Sequence, residues 1–133
     1  MKKIDLESLK QLMKLNEFPI LIEDLPKELF ENAVILSNDC DIKELNGHYE
    51  GLEFVPPLWY DILCEKCKDN NTILIINGIN NCDIEEQLKF VEILKYRKVS
   101  TFILPRNCII IVTAYNLKEK PVAEEIYSLT AHV

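Results

Sequence analysis

The run Thr72-Ile73-Leu74-Ile75-Ile76 is continuous, β-branched and apolar on both faces. That pattern belongs to a central parallel strand covered on both sides, because an antiparallel strand with one wet face would alternate. Cys108-Ile109-Ile110-Ile111-Val112-Thr113 repeats the pattern. Phe18-Pro19-Ile20-Leu21-Ile22 is a shorter apolar run with Pro19 at its start, where a missing N–H is tolerated. A further buried-type strand is expected over 33–36. Between the strands lie helical patterns. Leu6, Leu9 and Met13 give one apolar face over 4–16. Pro26 suits the first turn of a short helix reaching Phe30. Pro56-Pro57 opens a helix with Leu58, Trp59, Ile62 and Leu63, running to about Lys68. Asp83 with Glu86 three residues on reads as a capping box for a helix to about Lys95 carrying Ile84, Leu88 and Val91. Residues 99–104 alternate like a small hairpin, 123–129 suggest a last short helix, and 37–54 read as a long polar loop with room for one helical turn. Strands alternating with helices predict an α/β domain with a mostly parallel sheet of about four strands and helices on both faces. A single domain over 1–133, with no lid domain, is expected.

Composition narrows the function. At 133 residues with 48% hydrophobic and 28% charged side chains, the chain can bury a core. The net charge of −7 argues against a nucleic-acid partner, which needs a basic face. No run of about 18 apolar residues predicts a membrane span. The start, Met1-Lys2-Lys3-Ile4-Asp5, lacks a secretory apolar region, so a cytoplasmic, acidic protein with reduced cysteines is expected. The glycine count is the most informative number. Only Gly47, Gly51 and Gly78 occur, and none precedes Lys. A phosphate-cradling loop needs several glycines within one turn so that the backbone can approach the phosphate.

Other candidate chemistry weighs little. Cys64-Glu65-Lys66-Cys67 is a CxxC inside a predicted helix, with no second ligand pair among Cys40, Cys82, Cys108 and His48. Half-buried helix cysteines are the ordinary reading, and no metal is expected. His48 in Asn46-Gly47-His48-Tyr49-Glu50-Gly51 reads as an exposed loop residue, and His132 as a frayed terminal one. Asp39, Asp41, Glu44, Glu50 and Glu53 make the middle loop acidic without calcium-loop spacing. Trp59 and Tyr60 read as core or interface anchors. No nucleophile elbow or His-Glu-x-x-His motif is present.

Three further stretches, in order, carry a resemblance. They are Phe54-Val55-Pro56-Pro57-Leu58-Trp59, then Ile73-Leu74-Ile75-Ile76-Asn77-Gly78-Ile79-Asn80, then Ile109-Ile110-Ile111-Val112-Thr113-Ala114-Tyr115-Asn116. Together with Arg97-Lys98-Val99 and Leu104-Pro105 they resemble the AAA+ ATPase core, in its MoxR-like and dynein-related branch, over residues 33–133. The resemblance implies a Pro-Pro-x-Trp helix start, a Walker B strand, a small hairpin and a strand ending in a sensor-1 Asn at Asn116. It also implies the strand order of a reduced AAA+ core: the strands from Ala33, Thr72, Cys108 and Phe18, side by side in that order. The first crossover must then span about 14 Å, three strand spacings, in roughly ten residues.

The departures from the family pattern concern the phosphate loop, the metal acid, the catalytic Glu and the Arg finger, while Asn116 alone keeps its family identity. The Walker A place reads Glu23-Asp24-Leu25-Pro26-Lys27-Glu28, with two carboxylates where phosphate would sit. Asn77 and Gly78 replace the Walker B acids, so neither the metal-holding charge nor the water-activating Glu is supplied. Leu129 and Thr130 stand at the Arg-finger place. The chain ends before the place expected for the family's fifth strand. This degenerate P-loop NTPase pattern, a pseudo-ATPase, implies no catalytic residues, no enzyme activity and no cofactor. What remains is a relic edge of Asn77, Gly78, Asn80 and Asn116 at the carboxyl ends of the central strands, where ligands bind in open α/β sheets. The expected function is a protein-interaction or regulatory module, docking on an active ATPase or on itself. The alternative is a nucleotide or small-molecule binder that uses the strand-end Asn cluster without a P-loop.

Overall fold

A computed structural model describes residue 11 and residues 18–23 and 25–132. Apart from Gln11, the helix expected over 4–16 lies outside them. The sheet is built around β5 (Thr72–Asn77) and β8 (Cys108–Thr113), which pair in parallel from Thr72 opposite Cys108 to Ile76 opposite Val112. Their alternate side chains feed two separate apolar layers, as the period of two requires. Leu74, Ile76, Ile110 and Val112 enter one layer, while Ile75 and Ile111 enter the other. β1 (Ile20–Ile22), parallel to β8, is wholly buried, and β2 (Val34–Ser37) runs parallel to β5.

The order is β2-β5-β8-β1-β9, parallel throughout. The four expected strands lie in the expected sequence. A fifth corrects both the strand count and the expectation that the chain ends before one. β9 (Ala131–His132) pairs with β1, Ile20 opposite Ala131, and Ala131 N–H donates to the Pro19 carbonyl at 2.7 Å. Two residues carry no hydrophobic period, so only the pairing reveals this strand. His132 is therefore held: its ring nitrogen lies 2.6 Å from the Tyr127 carbonyl oxygen, and the two rings are in contact.

The larger apolar layer collects α2 (Leu58–Cys67) through Leu63 and Cys67, α4 (Val91–Tyr96) through Ile93 and Leu94, and α5 (Glu124–Ser128) through Ile126. The opposite layer is covered, among the described residues, by the crossover from β1 to β2. Leu25 and Leu29 supply its buried side chains, and its regular structure is one 3-10 turn at Lys27–Leu29. The short crossover does span the sheet.

The helix expected over 83–95 is instead α3 (Ile84–Gln87), a 3-10 turn at Leu88–Phe90, and α4. Its capping box does not form. Asp83 makes no side-chain cap bond, and the Glu86 carboxylate lies 3.6 Å from Lys89 Nζ instead. The long loop over 37–54 holds more order than expected. Asp41 caps α1 (Ile42–Asn46) by accepting from the Glu44 N–H at 2.7 Å. β3 (His48–Glu50) and β4 (Glu53–Val55) then form a hairpin. β3 is exposed throughout, so it has no apolar face to betray it. Gly47 lies at φ +91, and a Cβ there would collide with the Val55 carbonyl oxygen, so this entry to the hairpin requires glycine. The second hairpin, β6 (Lys98–Val99) with β7 (Phe102–Ile103), stacks on the first through Phe54 and Phe102, and Tyr60 OH donates to the Ile103 carbonyl at 2.6 Å.

Candidate functional site

The polar residues singled out at the carboxyl edge come from the loops that follow β5 and β8. β5 ends at Asn77, and Gly78 at φ +68 turns the chain sharply into a 3-10 turn at Ile79–Asn81. A Cβ on Gly78 would stand 2.7 Å from Asn81 Nδ2, so both the backbone angle and the space call for glycine. The Gly78 N–H donates to Thr113 Oγ1 at 2.8 Å, across to the end of β8. The Thr113 hydroxyl in turn donates to Asn77 Oδ1 at 2.7 Å, and the Tyr115 hydroxyl donates to the same oxygen at 2.9 Å. Asn77 thus works as an acceptor that joins two strand ends.

Asn80 is 3% exposed and is consumed entirely by backbone. Its Nδ2 donates to the carbonyls of Tyr115 (2.6 Å) and Lys120 (2.8 Å), and its Oδ1 accepts from the Tyr115 N–H (3.0 Å). Gln87, read from sequence only as part of a helix, does the same on the next stretch. Its Nε2 donates to the Cys82 and Pro121 carbonyls, and its Oε1 accepts from the Ala123 N–H at 2.6 Å. An amide offers two N–H donors and a carbonyl acceptor on one short neutral side chain, so each can stitch a loop carrying both unpaired N–H and C=O groups. The signal missed in the sequence was a Gln at the C-terminal end of a short helix, which has no motif.

Asn116 is not brought into this network. It is exposed at φ +54, and its carbonyl accepts from the N–H groups of Glu119 and Lys120, both at 2.9 Å. A hollow of about 310 Å³ lies beside the stitched loops, bordered by Asn80, Asn81, Asp83, Gln87 and Lys120. The amides that border it most deeply are already satisfied.

At the end of β1 the chain passes through Glu23 to Leu25 and Pro26. Among the described residues only the 3-10 turn at Lys27–Leu29 follows before β2, too short to gather converging N–H groups around an anion. The Leu129-Thr130 stretch is likewise occupied locally: Thr130 Oγ1 donates to the carbonyls of Ile126 and Tyr127.

The remaining candidates stand apart from this edge. Cys64 and Cys67 lie on α2, half-buried and buried, with Cys108 of β8 close enough to interact electrostatically. Burial first, then the neighbouring Cys67, pushes the Cys108 thiol up to about 12. A thiol held neutral is a poor nucleophile. Among the described residues no group of three or more His, Cys, Asp or Glu side chains is arranged to hold a metal ion. His48 pairs with Glu50 at 3.3 Å on the exposed hairpin. Trp59 is buried and donates from Nε1 to the Leu45 carbonyl at 2.9 Å, locking α2 to α1. No helix among the described residues is long and apolar enough to cross a membrane. No family profile matches the chain, and no curated protein matches it in sequence.

Proposed function

We propose that this chain is a non-catalytic AAA+-like domain, of reduced P-loop-NTPase type, that works as a protein-interaction or regulatory module alongside an active ATPase or a second copy of itself. The observation that carries the reading is the state of the strand-end edge. The groups standing where nucleotide and metal chemistry would be done are bonded to one another: Asn77 to Thr113 and Tyr115, Gly78 to Thr113, and Asn80 to Tyr115 and Lys120. Phosphoryl transfer needs a metal-holding carboxylate, a residue that orients water and a phosphate cradle. Asn77, Gly78 and the Glu23–Pro26 stretch supply none of these. The parallel order β2-β5-β8-β1-β9 supports the family reading, since the first four strands follow the order that the resemblance implies and β9 takes the place of a fifth strand beside β1. A pair of stacked hairpins and an acidic surface remain as protein-facing features.

The test is calorimetric titration with Mg·ATP and Mg·ADP. No saturable heat up to millimolar nucleotide is expected. Saturable binding in the micromolar range would overturn the reading in favour of a nucleotide binder that needs no P-loop. Asn116→Ala would then show whether the exposed Asn takes part. Hydrolysis above a mock preparation would overturn it outright.

A further inference from the structure

β2 is an edge strand: among the described residues it pairs with β5 and with nothing on its other side. An edge strand in a parallel sheet points alternate backbone N–H and C=O groups outward, and each of these needs a partner or water. Its four residues, Val34–Ser37, carry no Pro and no Lys. Natural proteins use those residues to protect a free edge from pairing. Apolar side chains stand exposed beside it. Ile35, on one face of β2, is 47% exposed, and Leu58, at the start of α2 on the other face, is 74% exposed. Both line one groove of about 630 Å³. Because the two residues come from opposite sides of β2, the groove follows the strand's open edge instead of sitting on one face of the sheet. Its rim carries Asp41, the cap of α1, and Glu44 of α1 against the single Lys43, with Asp39 just outside.

Each feature selects a property of the occupant. Unpaired strand backbone selects an extended segment, since only another strand matches the spacing of the outward N–H and C=O groups. Exposed Ile35 and Leu58 on the two faces select apolar side chains at alternate positions, which a strand projects to both sides. The acidic rim on a chain of net charge −7 selects basic residues and disfavours a second copy of the chain. We propose that the free edge of β2 takes an extended, apolar and basic peptide segment of a partner protein as an added strand. This inference rests on the interaction-module reading and names the class of partner.

The experiment is selection of a random peptide library of about twelve residues, displayed on phage, against the full-length chain. Enriched peptides are expected to alternate apolar residues, to carry Lys or Arg, and to lack Pro within the alternating core. A fluorescein-labelled enriched peptide should bind saturably by anisotropy, and at least about tenfold more weakly to Ile35→Lys and to Glu44→Lys. Circular dichroism checks that both variants fold, and Leu58→Glu, at a more exposed position, replaces either one that does not. The proposal is overturned by no enrichment over a control protein, by enrichment of acidic or helically spaced peptides, or by unchanged affinity for the folded variants. It is also overturned if sedimentation shows a dimer that Ile35→Lys dissolves, because a second copy would then cover the edge. Failure here with no nucleotide binding removes the partner class alone. Saturable nucleotide binding removes the module reading whichever peptides are selected.

Discussion

The polar loops after β5 and β8 and the open side of β2 lie on the same sheet, yet their polar groups are in opposite states. After β5 and β8, Asn77, Asn80 and Gln87 give their amides to the strand ends and to the loop over 115–123. Along β2, the outward backbone groups find no strand partner among the described residues, and Ile35 and Leu58 stand exposed beside them. An Asn-rich strand-end edge therefore reads in sequence like a ligand site, while its groups are spent on holding loops together. The inconspicuous strand Val-Ile-Leu-Ser keeps its bonding capacity in reserve. Whether a polar group is satisfied decides which surface can recognise something, because a satisfied group gains little by exchanging partners.

That contrast makes energetic predictions. The largest effect is expected from Asn80→Ala, which leaves the Tyr115 N–H and the Tyr115 and Lys120 carbonyls without their side-chain partner. Loss of about 3 kcal/mol in urea unfolding is expected, from about one to three per group left unsatisfied, with partial relief by water because these bonds are part-buried. A loss below about 0.5 kcal/mol would mean that the loops do not depend on the stitch, and the contrast would fail. Gln87→Leu should cost about 2 kcal/mol by the same measurement, since it strands the buried Ala123 N–H.

Gly78→Ala tests the turn beneath the stitch. A Cβ at φ +68 costs about 1–2 kcal/mol in left-handed backbone strain, with crowding against Asn81 in addition. Ile35→Lys sharpens the other half of the comparison. At an exposed position on an unpaired edge it should change stability by less than about 0.5 kcal/mol. A large loss would show that the β2 edge is covered within the chain.

A pH dependence arises in the core behind both regions. Cys108 has its thiol raised from 9.0 to about 12 by burial and by Cys67. Between those values the unfolded chain gives up this proton while the folded chain keeps it, so stability falls as pH rises through the window. Urea midpoints at pH 8 and pH 10 should therefore fall further in the wild type than in Cys108→Val. Equal falls would show that the Cys108 thiol does not contribute.

Much of the fold was legible because it rests on local pattern. Thr72–Asn77 and Cys108–Thr113 announce themselves as buried strands, and Pro57 marks the residue before α2. β9 and the β3–β4 hairpin were not legible. Ala131–His132 is too short to show a period, and His48–Glu50 buries nothing. Asn77, Gly78 and Asn80 do lie at and just after the carboxyl end of β5, but the sequence could not distinguish an amide that awaits a ligand from one already bonded.

By itself, then, the sequence determined the buried central strands, the glycine at position 78 where the chain must turn, and the scarcity of glycine, with no Gly-Lys pair. These follow from side-chain type and short-range period, which folding does not alter. Only the tertiary structure decided that Asn80 and Gln87 are spent on backbone more than thirty residues away along the chain, and that β2 lies at the edge with one side unpaired among the described residues. Both depend on long-range pairing, and no local pattern records which distant group a donor will meet.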